Sequence, residues 1–127
     1  MGDVGAMHRI MLKSKLHNAR ITHKEPDYEG SLTLSAELME AVRILPYEKI
    51  LVANTANGER FETYAIPADP GSGKIGLNGA ATHKGSVGDR VIVFAFALVP
   101  EEEAAQHRPL ILTLDEQNKP IGPLKDV

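Results

Sequence analysis

The stretch Val91-Ile92-Val93-Phe94-Ala95-Phe96-Ala97-Leu98-Val99 carries no polar side chain, and it is bounded by the turn residues Val87-Gly88-Asp89 and by Pro100. β-Branched and aromatic residues dominate it, which favours extended backbone, and the missing polar alternation predicts a core strand with no solvated face. As a helix it reaches only about half the length that crosses a bilayer. A chain of 127 residues that must wrap such a strand has room for one domain around one core, read here as spanning 1–127.

Other segments supply the cover. From Arg9 to Thr22, Lys13, Lys15 and His17 alternate with Leu12 and Leu16, the pattern of a strand with one wet face. His23-Lys24-Glu25-Pro26-Asp27 reads as a loop. Between Ser35 and Ile44, Leu38, Met39 and Val42, with Leu45 just beyond, recur at near-helical spacing. Ser35 suits an N-cap, Glu37 the first turn, and Pro46 the stop. Lys49–Asn54 and Arg60–Ile66 read as paired strands joined at Asn57-Gly58, a strong hairpin signal. Pro67, Pro70, Gly71 and Gly73 predict a loop, Lys74–Leu77 a short strand, and Asn78-Gly79-Ala80-Ala81 a tight turn of small residues. Leu110–Leu114 can add a strand, and the tail carrying Pro120 and Pro123 reads as loose. Many short strands with one substantial helix predict a mainly β chain built as a small β-barrel.

Composition narrows the function. Hydrophobic residues at 43% and charged residues at 24% are those of a folding globular chain, not a disordered one. No cysteine is present, which removes disulfides, thiolate metal sites and thiol nucleophiles. A net charge of −3 argues against a phosphate-backbone binder, so no nucleic-acid partner is expected. The start Met1-Gly2-Asp3-Val4-Gly5-Ala6 has neither a basic n-region nor an apolar h-region, and a cytoplasmic protein without membrane attachment is expected.

Among groups that carry chemistry, Ser31 stands in Tyr28-Glu29-Gly30-Ser31, one of three Gly-Ser bonds, the others being Gly71-Ser72 and Gly85-Ser86. A serine hydroxyl can attack the preceding carbonyl and exchange an amide for an ester when the fold strains that bond. Lys15 and His17 on the first strand, Arg60, Thr63 and Tyr64 on the hairpin, and the turn at Asn78 are the remaining candidates. The five histidines show no metal-ligand spacing, so no metal is expected. A Ser-His-Asp hydrolase lacks its Gly-x-Ser-x-Gly elbow here. The Glu101-Glu102-Glu103 run reads as a solvated face, and the fold signals alone also fit a non-catalytic binding barrel.

At Lys15-Leu16-His17, Tyr28-Glu29-Gly30-Ser31, Asn57-Gly58-Glu59-Arg60-Phe61-Glu62-Thr63-Tyr64-Ala65-Ile66 and Asn78-Gly79-Ala80-Ala81, in that order, the chain closely resembles the bacterial aspartate 1-decarboxylases. These are pyruvoyl-dependent enzymes that supply β-alanine for pantothenate. The likeness runs from about Met7 to about Pro109, leaving residues 1–6 as an extension and about 110–127 as a variable tail.

The resemblance implies a six-stranded double-psi β-barrel with one or two short helices, assembled as a homotetramer with sites between subunits. It implies self-cleavage of Gly30-Ser31 into a β chain, 1–30, and an α chain, 31–127, with Ser31 becoming a pyruvoyl group. Some relatives need a maturation factor. Loss of an α-carboxylate demands an electron sink; the pyruvoyl ketone, through a Schiff base with L-aspartate, would be that sink without pyridoxal phosphate. Thr63 matches a position that aids cleavage and touches substrate, and Tyr64 matches the proton donor. Lys15 and Arg60 match the cations for the two carboxylates, and on sequence grounds either can serve either one. Gly79, Ala80 and Ala81 match a substrate-binding loop whose backbone N–H groups can reach an anion, with Tyr28 and Asn78 as further contacts.

Overall fold

The computed structural model describes residues 7–126, so the expected extension 1–6 lies outside the described residues. The elements run β1 (His8–Arg20), β2 (His23–Glu25), β3 (Ser31–Ser35), α1 (Ala36–Ala41), β4 (Lys49–Asn54), β5 (Arg60–Ala68) and β6 (Ile75–Asn78). A 3-10 helix (Gly79–Lys84), β7 (Arg90–Pro100), α2 (Glu101–Ala104), β8 (Leu110–Thr113) and β9 (Lys125–Asp126) complete them. The chain is mainly β, as expected, with three short helical segments rather than one or two.

Hydrogen-bonded neighbours follow the order β2-β6-β3-β5-β4-β7-β1-β8-β9. β1 and β2 are nearly continuous in sequence yet stand toward opposite ends of that order, so the sheet must curl. Thr22 between them donates its N–H to Ile75 O at 2.7 Å and accepts the Ile75 N–H on Oγ1 at 3.0 Å. That contact closes β1, β7, β4, β5, β3 and β6 into a six-stranded barrel. β3–β5 and β2–β6 are parallel among antiparallel neighbours, so the connections cross over instead of running up and down. This agrees with the expected crossed barrel.

Inside lie Leu16, Leu32, Leu34, Val52, Ala65, Ile75, Leu77, Val91 and Val93, and α1 closes the core with Leu38, Met39 and Val42. Fully burying an aliphatic side chain of this kind stabilises by about 1.5–3 kcal/mol. The apolar run does not behave as expected. Val91, Val93 and Ala95 are buried, whereas Phe96 is 43% and Leu98 is 69% exposed. β7 therefore has two faces, and its outer face is apolar without being covered within the chain.

Other differences have local causes. The expected loop at His23 contains β2, because Lys24 pairs with Leu77. β3, to which no element was assigned, is a strand whose five residues are all buried. Pro67 lies within β5 opposite Leu34, beyond the last β4–β5 pair at Tyr64, so its missing N–H breaks no ladder on that side. Ser35 sits at the N-cap but spends its hydroxyl on Ser72 Oγ at 3.0 Å, making no side-chain cap bond. α1 ends at Ala41 with Val42 as C-cap, and Arg43, at φ 60°, then turns the chain and lets the Ile44 N–H reach Met39 O at 2.8 Å, ahead of Pro46. Leu45 consequently faces out at 70% exposure.

The tail is not loose. β8 runs parallel to β1, and β9 pairs with β8. Asn118, only 2% exposed, accepts the Arg20 N–H at 2.8 Å and donates to Arg20 O and Gly73 O at 3.0 and 2.8 Å. Prolines mark where this segment bends, but the β8–β9 pairing, the Ile121 N–H on Thr113 O and the Asn118 amide together anchor it. Asn118→Ala leaves those backbone groups unsatisfied and is expected to cost about 2–3 kcal/mol, read as a lower urea midpoint at unchanged slope.

Candidate active site

The Gly30–Ser31 bond crosses from surface to interior: Gly30 is exposed, and Ser31, the first residue of β3, is fully buried. Ser72 and Ser86, which follow the other two Gly-Ser bonds, are both exposed. A buried hydroxyl needs partners. Ser31 stands directly across the β3–β6 ladder from Asn78, whose Nδ2 donates to Ser31 Oγ at 2.9 Å and to Thr33 Oγ1 at 2.8 Å. Ser31 Oγ in turn donates to Glu29 O at 3.3 Å.

Gly30 itself is unremarkable in conformation. It is absent from the glycines with positive φ, and a Cβ added to it would meet nothing within 4 Å. The conformational demand falls on Gly79 instead, at φ +59°. A Cβ there would lie 2.7 Å from Tyr28 O, 2.8 Å from Gly30 N and 2.9 Å from Gly30 Cα. The backbone of the small-residue turn is thus packed onto the segment that ends at the candidate bond, which is why this position must lack a side chain. The expected tight turn is the start of the 3-10 helix.

Gly30, Phe61, Thr63, Ala80 and Ala81 line one pocket of about 250 Å³. Tyr28, 55% exposed, lines a neighbouring cavity of about 420 Å³ with Thr33 and Asn78. Side chains alternate along β5, and its register with β4 runs without a bulge from Arg60 to Tyr64. Thr63, opposite buried Ile50, points to the same side as the barrel interior. Arg60 and Tyr64 therefore point out. Lys15, opposite Phe94 in the β1–β7 ladder, also points out.

On that outer face Phe94 gathers both cations, with Lys15 Nζ 5.9 Å and Arg60 Cζ 5.7 Å from its ring centre. Among the described residues neither has a carboxylate within ion-pair distance, unlike Lys49 with Glu62 at 3.0 Å on the same face. Tyr64 packs against Tyr47 with ring centres 6.3 Å apart. The expected residues thus form two sets. Thr63 faces in and shares a pocket with Gly30, Ala80 and Ala81, while Lys15, Arg60 and Tyr64 point out, the side to which Ser31 and Asn78 also turn as they alternate with the core residues Leu32 and Leu77.

Residues 7–121 match the model of the family described as aspartate decarboxylase. Among curated proteins the chain is similar to the aspartate 1-decarboxylase of Coprothermobacter proteolyticus, 52% identical over 91% of this chain and 96% of the relative. It is 50% identical to that of Thioalkalivibrio sulfidiphilus over 92% and 93% of the two chains, and 48% identical to that of Tolumonas auensis over 95% and 96%. The chain belongs to the aspartate decarboxylase family. The family match extends past Pro109, where little likeness was expected, and includes Asn118.

Some residues that hold this family's site together in the chain have no motif of their own. Asn54, 3% exposed, donates to Lys84 O at 3.1 Å and to Asp89 Oδ2 at 2.9 Å, and Asn57 also reaches Lys84 O, at 3.0 Å. Together they pin the end of the 3-10 helix to the β4–β5 hairpin, fixing Ala80 and Ala81 relative to Thr63. No sequence signal marks Asn54, because its role depends on partners thirty and more residues away. Among the described residues no group of acidic or histidine side chains is placed to hold a metal, and no helix is long and apolar enough to cross a membrane.

Two expectations follow. Gly79→Ala should slow any cleavage at Gly30–Ser31 and cost about 1–3 kcal/mol of stability, whereas Gly30→Ala should leave the melting temperature unchanged; intact mass and thermal unfolding check both. The Asn54 amide and then the Ser86 N–H hold the Asp89 carboxyl below the usual carboxylate range. A depressed carboxyl gives stability that is full above its unfolded value and is lost as pH falls through its folded one. Asp89→Asn should therefore flatten the acid limb of the stability–pH curve, measured by urea unfolding between pH 5 and about pH 2.

Proposed function

We propose that this chain removes the α-carboxylate of L-aspartate to give β-alanine and carbon dioxide, using a pyruvoyl group made from its own Ser31. The β-alanine would serve pantothenate and coenzyme A formation in the cytoplasm. Membership of the aspartate decarboxylase family supports the reaction. The observation that carries the chemistry is the buried Ser31 hydroxyl, bound by Asn78 and joined to an exposed glycine.

In maturation, Ser31 Oγ bonds to the Gly30 carbonyl carbon and the Gly30 C–N bond breaks, with the hydroxyl proton ending on the freed nitrogen. Loss of the Ser31 α-proton then expels the Gly30 carboxylate and leaves dehydroalanine; water replaces the nitrogen, which departs as ammonia. Thr63 lines the same pocket as Gly30, which supports its hydroxyl as the donor to the oxygen that becomes negative. The surroundings of position 31 suit a neutral carbonyl group: they are buried, offer an amide N–H and place no charged side chain on Ser31. Such a ketone supplies the electron sink for the pair released with carbon dioxide.

The chain's own residues do the rest. Arg60, with its planar fork, and Lys15, as a point charge, take the two carboxylates. Backbone N–H groups of Gly79, Ala80 and Ala81 add donors, with Tyr28 and Asn78 at the rim, and Tyr64 returns a proton to the α-carbon. Tyr64 lies on the same outer side as Ser31, whereas Lys15 and Arg60 gather at Phe94, which fits a site completed by a second copy. The exposed side chains Ile10, Phe96 and Leu98 give this face the apolar surface an assembly buries, in line with a homotetramer.

Purified chain should separate under denaturing conditions into residues 1–30 and a longer fragment starting at 31 without a free amine. It should release carbon dioxide and β-alanine from aspartate. Ser31→Ala should fold, stay whole and release no carbon dioxide. An active preparation made only of uncut chain would overturn the self-processing reading. If cleavage appears only after adding lysate, a maturation factor is required.

A further inference from the structure

Asn78 spends both hydrogens of its carboxamide on one strand: one on Ser31 Oγ at 2.9 Å, the other on Thr33 Oγ1 at 2.8 Å. Ser31 and Thr33 are two apart on β3 and so share a face. Asn78 lies directly opposite Ser31, and Thr33 is its diagonal neighbour, opposite Gly76. Gly76 has no side chain to fill the diagonal; a Cβ there would sit 2.2 Å from His23 Nε2. The His23 ring, not a Gly76 side chain, therefore borders the contact between Asn78 and Thr33. All three polar residues are buried: Ser31 at 0%, Asn78 at 2% and Thr33 at 8% exposure.

We propose that Thr33 is a positioning residue for cleavage at Gly30–Ser31, its hydroxyl oxygen holding the Asn78 carboxamide with an N–H, not the C=O, facing Ser31 Oγ. This rests on the reading of Ser31 as the residue that attacks Gly30. The direction of that hydrogen bond matters to the step. As Oγ bonds to the Gly30 carbon and gives up its proton, an N–H aimed at it favours the charge that develops. A flipped amide would leave Ser31 Oγ without that donor. With the second N–H on Thr33, turning the amide over would require both hydroxyls to donate instead of accept, and Ser31 would give up its bond to Glu29 O. The Ser31 proton is meanwhile directed to Glu29 O, leaving Asn78 as the donor. Thr33 touches no reacting atom and acts only through Asn78.

The experiment follows cleavage of purified uncut chain by intact mass over time, with thermal unfolding of each variant alongside. Wild type and Thr33→Ser should cleave at matching rates, because both keep the hydroxyl. Thr33→Val, which keeps the shape and loses the acceptor, should cleave roughly tenfold slower. If Thr33→Val gives no cooperative unfolding, Thr33→Ala is read in its place. In an Asn78→Ala background the Thr33→Val change should add no further slowing. Wild-type rates in the Val or Ala variant, equal slowing in Ser and Val, or an undiminished Thr33 effect without Asn78 would each overturn the proposal. A folded wild-type chain that never cleaves, either alone or with lysate added, would instead overturn the reading of Ser31 on which it rests.

Discussion

β3 is the constraint on which the site depends. It lies between β5 and β6 in the barrel wall, and all five of its residues are buried. Leu32 and Leu34 belong to the core, but Ser31, Thr33 and Ser35 alternate with them, so the strand buries three hydroxyls on its other face. Buried hydroxyls are tolerable only when hydrogen-bonded. Asn78 satisfies two of them and Ser72 the third. The requirement for pairing, imposed by burial, places an amide N–H on the hydroxyl that follows Gly30.

The same barrel explains why the expected residues do not converge in one chain. Strand alternation makes neighbours diverge, so Thr63 faces in while Tyr64 faces out on the side of Ser31. Lys15 and Arg60 gather instead at Phe94. The cations sit on an aromatic ring at one end of an apolar face that includes Ile10, Phe96 and Leu98. Burying that face against another copy would desolvate Lys15 and Arg60, and a dicarboxylate would then be the partner that offsets the charge.

How far the sequence was legible follows from the range of each interaction. The β4–β5 hairpin was plain because Asn57-Gly58 and the flanking alternation are local, and the barrel class followed from many such local signals. β3 went unseen because buried hydroxyls alternating with leucines look like an ordinary half-wet strand or a helix start; only the pairing with β6 reveals why they are inside. The run at Val91 was misjudged for the complementary reason. An apolar outer face and a buried one carry the same residues, and one chain's sequence does not say which is covered by its own fold. The tail was misjudged because its prolines are visible, whereas the Asn118 bonds to Arg20 and Gly73 span 98 and 45 residues.

Glycine at 30 and glycine at 79 separate what a motif marks from what the fold requires. Gly30 names the bond, yet its φ is ordinary and its Cβ position is empty. Gly79 is held left-handed against Tyr28 and Gly30, where any side chain would collide with backbone. The turn assigned to substrate therefore also supports the segment leading to Ser31 from behind. One short stretch, Asn78 to Ala81, contributes the amide on Ser31, the backbone against Gly30 and the wall of the pocket. If the proposed function holds, a turn whose four residues share these three tasks links cleavage to substrate binding, because any change that moves the turn moves both.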